Sequence, residues 1–283
     1  MIRICVLSSG STGNATLVRT ETTAVLVDAG LSASALSRLL DEQGLGPERL
    51  DAILIGHEHT DHVRGLKAFS RTWRGPVYVN AEIRDFILER VPSLPAVRTF
   101  EKHDTWSIGD IDVSPFPVEH DAIDPVGFVL EHGGARVAVA TDLGFVTGPV
   151  REAFRGAHAA VIEANYDHEM LMSGRRPWSL KQRIKGTRGH LANEDTAEFI
   201  AEVCAETLVD VFLAHISRDC NRPDIALGAV KDRLRRGGKE HIRIHLTYPD
   251  RPSPEVSVGA PPPAAPGAGR QLELDWPEPS RLP

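Results

Sequence analysis

Five apolar runs in this chain lead into a group that binds metal ions. DAILIG runs into His57, DVSPFPVEH into His120, RVAVATD into Asp142 and LVDVFLAH into His215, while AAVIEAN carries Glu163. Short runs rich in β-branched and small apolar residues read as strands. Strands that each deliver an imidazole or carboxylate at one end place those groups on a common rim of a sheet sandwich, and the fold must satisfy all of them at once. Taken singly, a His after an apolar strand is usually a satisfied edge residue, since a buried polar group needs only a partner. Together they point to a metal centre.

The stretch HEHTDH, residues 57 to 62, sharpens that reading by placing three of the 12 histidines beside Glu58 and Asp61. Imidazole nitrogen and carboxylate oxygen are the usual donors to Zn, Mn and Fe. On an extended backbone HxH lets alternate side chains, His57 and His59, meet one ion, and the following Asp61 and His62 turn towards a second. That geometry requires a strand end, a loop and a helix start. DAILI supplies the strand, and VRGLKAFSRTW places Val63, Leu66 and Phe69 at helical spacing. A solvated polar loop is the bland alternative, and the density of donors argues against it. Elsewhere β-rich runs alternate with amphipathic helices such as LSASALSRLLDEQG and NEDTAEFIAEVCAETL, the latter opening on Asn193 as a cap. The pattern is α/β.

At 283 residues and 41% hydrophobic content, the chain can bury a substantial core. A net charge of −7 excludes a wholly basic, polyanion-binding face, so any nucleic-acid contact must be local. Cys5, Cys204 and Cys220 form no CxxC and are odd in number, which suits free thiols in a reducing cytoplasm. No apolar run approaches the roughly 20 residues of a membrane helix, and MIRICVLSSG lacks a signal-peptide design. Residues 249–283 hold ten of the 20 prolines and the run GAPPPAAPGAG. Such a segment cannot bury enough apolar surface to offset its ordering entropy, so the expected division is a domain over 1–248 and a disordered tail over 249–283.

These motifs resemble the metallo-β-lactamase fold hydrolases. HEHTDH matches the HxHxDH signature, and His120 in PVEHD, Asp142 in ATDLG and His215 in LAHIS follow in the family's order over residues 1 to about 248. The resemblance implies an αββα sandwich followed here by the Pro-rich tail. It implies His57, His59 and His120 on one divalent ion, Asp61, His62 and His215 on another, and Asp142 between them. Asp28 in VLVDAG takes the place of a supporting residue. SSGSTGNATLV, EANYDHEML, GHLANED and LAHISRDCN are similar to the YycJ/WalJ group of bacterial nucleases, which implies 5′ to 3′ exonuclease action on DNA and a role in repair.

Phosphodiester hydrolysis is slow because charge builds on the non-bridging oxygens and water is a poor nucleophile at neutral pH. Two cations about 3.5 to 4 Å apart answer both problems, and seven donors suit two ions with positions left for water and substrate. Asp61 is placed to orient that water. His190 in RGHLANED is the candidate proton donor to the leaving oxygen, held by Glu163 as in related phosphodiesterases; the competing reading is a His that only rigidifies a loop. Ser11 and Asn14 in SGSTGN suit a phosphate, as would a plain Gly-rich turn. The stretch 175–190 holds six Lys/Arg, no acid and Trp178, and offers Arg183, Lys185 and Trp178 for backbone tracking and base stacking. Asp167, His168 and Glu169 receive no role beyond support.

In the tail, QLELDW resembles the sliding-clamp-binding peptides of bacterial replication and repair proteins, through Gln271, Leu274 and Trp276. Asp275 and the Trp depart from the commonest form of that peptide. Two rival classes stand beside the DNA exonuclease. One is a small-molecule metallo-hydrolase of thioesterase or lactonase type, since the same centre attacks carbonyls. The other is a non-catalytic metal-binding or clamp-interaction protein. An RNA-processing nuclease is a further alternative within the nuclease reading, because related RNA enzymes share versions of these motifs. Zn and Mn suit the donors equally, and the residues do not fix oligomeric state.

Overall fold

The computed structural model describes residues 1–203 and 207–259. Its first sheet contains β1 (Ile2–Ser8), β2 (Ala15–Arg19), β3 (Ala24–Val27), β4 (Ala52–Leu54), β5 (Val77–Asn80) and β6 (Val97–Phe100). The second contains β7 (Trp106–Ile108), β8 (Ile111–Pro117), β9 (Val126–His132), β10 (Ala135–Ala140), β11 (Ala159–Glu163), β12 (Asp210–Ala214) and β13 (Arg243–Leu246). A last strand, β14 (Val256–Val258), returns to the first sheet. The orders are β14-β1-β2-β3-β4-β5-β6 and β13-β12-β11-β10-β9-β8-β7. Each sheet begins with antiparallel pairs and ends with three parallel steps, β3 to β6 and β10 to β13.

Parallel steps need crossovers, and helices supply them. On the first sheet these are α1 (Ala33–Glu42), α2 (Thr60–Val63), α3 (Leu66–Phe69) and α4 (Arg84–Arg90); on the second, α5 (Gly148–Phe154), α6 (His168–Ser173), α7 (Trp178–Ile184), α8 (Asn193–Val203) and α9 (Pro223–Arg236). Three apolar layers result. Ile4 and Val6 of β1 point between the sheets with Phe128 and Val161, whereas Cys5 and Leu7 point outward to Leu36, Leu39 and Phe69. A third layer packs Ile162 and Leu213 against Val150, Phe199 and Val230. Burial on both faces explains why the strands read as almost unbroken apolar runs. The architecture is the expected αββα sandwich.

Three expectations change. The helix expected after HEHTDH is split into α2 and α3 at Gly65, whose amide donates to the Ala29 carbonyl at 2.8 Å; a Cβ there would lie 2.4 Å from the Leu31 carbonyl oxygen. Asn193 is the first residue of α8, and its buried amide pairs with Asn221 at 2.8 and 3.0 Å instead of capping. The domain also extends past residue 248. β14 pairs antiparallel with Ile2–Ile4, and Ser253 exchanges two hydrogen bonds with the Val6 backbone (2.8 and 3.0 Å). An edge strand pairs on one side only, so the neighbouring prolines do not block it. Gln271, Leu274 and Trp276 lie outside the described residues, as does Cys204. Among the described residues Cys5 and Cys220 are buried free thiols, and no helix is long and apolar enough to cross a membrane.

Candidate metal centre

The ends of β4, β8, β10, β11 and β12 converge with the start of α2. Three turns at this convergence adopt backbone that residues with a side chain seldom adopt: φ is 64° at Asp28, 54° at Asp142 and 52° at His215. Surrounding bonds hold them there. The His215 amide donates to Ser9 Oγ and its carbonyl accepts from Asn165 Nδ2, both at 2.8 Å. Asp28 accepts the Gly56 amide at 2.9 Å on one oxygen and lies 2.8 Å from His62 Nδ1 with the other. The following turn lies directly on the HEHTDH segment, because a Cβ on Gly30 would sit 1.6 Å from the Asp61 carbonyl oxygen.

The seven side chains read as ligands come together. Donor atoms of His57, His59 and His120 all lie within 4.8 Å of one another, as do those of His57, His62 and Asp142. Asp61 Oδ2 is 3.7 Å from His62 Nε2 and 3.5 Å from His215 Nε2. Asp142 stands between the two groups: its carboxylate is 2.9 Å from His62, 3.4 Å from His215 and 3.8 Å from His120. His120 Nδ1 is taken by the Gly189 carbonyl at 2.9 Å, which orients the ring and leaves Nε2 for an ion. His57 Nε2 and His215 Nε2 are buried with no hydrogen-bond partner. A buried unsatisfied nitrogen costs about 1–3 kcal/mol, a cost that a cation removes. On donor chemistry, orientation and these two orphaned atoms, the residues fit divalent cations.

Electrostatics within the cluster are strong. Burial drives His57 well below the ordinary imidazole range, helped by the neighbouring His62. At His62 burial acts in the same direction, yet the Asp28 and Asp142 carboxylates outweigh it and hold the ring well above that range. Burial opposes charge on Asp142 too, but His215 and His62 keep its carboxyl well below the carboxylate range.

Glu163, fully buried, links the centre to His190. Its Oε1 lies 2.7 Å from His190 Nδ1 and 2.9 Å from His215 Nδ1, and its Oε2 accepts the amides of Leu143 and Leu191 at 2.7 and 3.2 Å. Burial resists this charge, but the two imidazoles pull the carboxyl down to about 2. His190 faces a cleft of about 280 Å³. Ser11 and Arg183 also line it, and so do Arg176, Arg188 and Asn165, which the sequence reading did not single out.

Three expected substrate contacts are placed elsewhere. Asn14 is buried, its amide lying 3.4 Å from Asp61 and 3.1 Å from His62, so it braces the ligands and does not face the cleft. Trp178 is 57% exposed at the start of α7, and neither it nor the exposed Lys185 lines the cleft. The basic stretch is also partly neutralised by distant acids: Arg183 pairs with Asp121 at 2.7 Å and Arg176 with Asp219 at 2.5 Å. Asp167 caps α6 through the Met170 amide at 2.8 Å, a structural part.

Comparison with known proteins agrees with this architecture. The profile of the Beta-lactamase superfamily domain matches residues 23–216. The chain is 37% identical over 257 residues to exodeoxyribonuclease YycJ of Bacillus anthracis, an alignment covering 89% of this chain and 97% of that one. It is 35% identical over 261 residues to exodeoxyribonuclease WalJ of Streptococcus pneumoniae, with the same coverages of 89% and 97%. Among solved structures, the metallo-beta-lactamase fold protein YhfI of Bacillus subtilis superposes with a TM-score of 0.68 at 15% identity, covering 89% of this chain and 98% of that one. The strained turns, the convergent imidazoles and carboxylates and the two relatives agree, and the chain belongs to the beta-lactamase superfamily as a metal-dependent hydrolase of the family that contains YycJ and WalJ.

Proposed function

We propose that this protein is a dinuclear phosphodiesterase that degrades DNA from the 5′ end, in DNA repair or replication. The observation that carries the proposal is the His190–Glu163 pair, a proton donor held at 2.7 Å at the lip of a cleft whose other wall is the ligand cluster. A thioester, whose thiolate leaves without protonation, needs no such donor. The polarity and the DNA preference rest on similarity to YycJ and WalJ.

Seven donors suit two ions, Zn or Mn, with His57, His59 and His120 for one, Asp61, His62 and His215 for the other and Asp142 shared. Such ions supply Lewis acidity towards phosphate oxygens and lower the pKa of water. The chain's own residues do the rest. Asp61, at the edge of the cluster, orients the attacking water and accepts its proton. Glu163 fixes the His190 ring with its Nδ1 occupied, so the donation to the leaving oxygen comes from Nε2. Ser11, Arg183, Arg176 and Arg188 hold the phosphate backbone from the rim. The proposed compartment is the cytoplasm, in keeping with the unpaired Cys5 and Cys220.

The test is a time course on 5′- and 3′-labelled duplex DNA and matched RNA, in Mn or Zn. Stepwise shortening from the 5′ DNA end is expected, abolished in His59→Ala and slowed about 10²–10⁴-fold in His190→Ala, the range of general acid catalysis. Thioester turnover without cleavage of any nucleic acid, by metal-loaded protein, would remove the nuclease reading. The peptide 271–276 is proposed to tether the enzyme to a sliding clamp. Deleting residues 270–283 should abolish clamp binding and spare hydrolysis of free DNA; undiminished clamp binding sinks the tether.

A further inference from the structure

A second cavity, of about 480 Å³, opens on the other side of His59, which lines both hollows, so the two meet at the ligand cluster. Ligand pockets span about 300–1,000 Å³, and this one has the size for a single nucleotide unit. Its base is apolar, with Val63 and Val91, and its rim carries Arg64, Lys67 and Arg90. These three cations have no carboxylate partner among the described residues. Arg64 donates to the Thr12 carbonyl at 2.8 Å, Arg90 approaches the Phe86 carbonyl at 3.5 Å, and the exposed Lys67 ammonium has no partner among the described residues. Of the Glu58 carboxylate in the wall, Oε1 accepts the Ile123 amide at 3.0 Å and Oε2 is buried without a hydrogen-bond partner among the described residues. In the first cleft Arg176 and Arg183 pair with Asp219 and Asp121, and Arg188 bonds the His120 and Ala122 carbonyls at 3.2 and 3.3 Å. Three cations without a carboxylate partner among the described residues therefore border the second cavity, against the single carboxylate of Glu58.

The wall also holds a flat surface. Phe86 is half-buried on α4, and the Arg90 guanidinium carbon sits 3.3 Å from the centre of its ring. Arginine planes and aromatic rings are the surfaces on which unpaired bases stack, and cation–π contact holds the guanidinium in place. A base on this platform, with its phosphate near Lys67 and Arg64, would continue directly to a phosphodiester at the ligand cluster.

We infer that this cavity receives the nucleotide on the opposite side of the scissile phosphate from Arg176, Arg183 and Arg188, with the Phe86–Arg90 pair stacking its base and Lys67 and Arg64 holding its phosphate. The inference rests on the nuclease reading for its substrate, and it makes the strand path cross the HEHTDH loop.

Calorimetric titration of the metal-loaded full chain with deoxyadenosine monophosphate tests it without catalysis, alongside KM on DNA. Arg90→Lys keeps the charge and removes the plane; Lys67→Ala removes an exposed charge. Both spare the apolar packing that Phe86→Ala would disturb. Each should weaken nucleotide binding about tenfold and raise the DNA KM by a similar factor. Parental affinity in both variants, or no binding by the parent at millimolar nucleotide, overturns the pocket. If the variants lose nucleotide affinity but the parent degrades no DNA, the pocket stands and the nuclease reading fails. If all proteins degrade DNA with parental KM, the reverse holds.

Discussion

His62 illustrates what single residues contribute to this centre. Its Nε2 faces Asp142 at 2.9 Å, and that orientation is set from behind by Asp28 at 2.8 Å from Nδ1. A carboxylate behind a ligating imidazole fixes the tautomer and raises its basicity, and losing such a partner typically costs 10–100-fold in metal affinity. Asp28→Asn is an informative change because Asn tolerates the φ of 64° that Asp28 adopts, so the backbone strain is left unaltered. Affinity for Zn or Mn should fall about 10–100-fold, read by competition with a chromophoric chelator; parental affinity would show that Asp28 only holds the turn. At this scale the convergence of the donor side chains was legible, because His and Asp at HxHxDH spacing carry their chemistry with them, and so was the place of Asp28 beside them. Asn165 was not: its contact with His215 depends on a crossover that no local pattern announces. Asn14 was misread because a Gly-rich turn looks alike whether its amide faces a phosphate or, as here, the ligands.

At the scale of elements, periodicity located the strands and long helices but missed breaks that depend on close approach. Gly65 splits α2 from α3 because the Leu31 carbonyl leaves no room beside it, although Val63, Leu66 and Phe69 keep helical spacing across the break. Turns show the same dependence on distant partners. The β7–β8 turn reaches across to the β2–β3 turn of the other sheet, where Asp110 accepts the hydroxyls of Thr20 and Thr22 at 2.7 and 2.9 Å and its amide donates to Thr23 at 3.1 Å. Slight burial resists charge on Asp110, but the threonine hydroxyls and His132 pull its carboxyl down to about 2, against an ordinary value of 3.8. A carboxyl depressed by folding stabilises the native state above its ordinary value, and that contribution disappears as pH falls from about 4 through about 2. The side chain is 37% exposed, so the effect stays below about 1 kcal/mol. In urea titrations Asp110→Asn should unfold earlier than the parent at pH 5, with the gap closing towards pH 2. A gap that holds steady across that range would mean the carboxylate charge does not contribute.

For the whole molecule, the decisive question is where the domain ends. Composition over residues 249–283 is dominated by its ten prolines, and that average hides a three-residue alternation, VSV, at 256–258. Val256 and Val258 are 9% and 3% exposed and fill the layer between the sheets, with Ser257 facing out. Glu255 adds a 2.5 Å pair with Arg19, and Cys5 Sγ donates to the Ser253 carbonyl at 3.3 Å. Burial pushes that thiol up to about 11, so it stays protonated and serves as packing, not as a reactive group. Residues 249–259 thus close the edge beside β1 that an open sheet would otherwise present to solvent. Two chains ending at residue 259 and at residue 248 separate the domain from the tail. The longer should melt with the parent. The shorter loses two buried valines, about 1.5–2 kcal/mol each, and exposes β1, which for a domain of this size lowers Tm by roughly 10 °C and favours self-association. Equal melting of the two truncated chains would return the boundary to 248, whereas a drop already present at 259 would place part of the fold's stability in the residues beyond it.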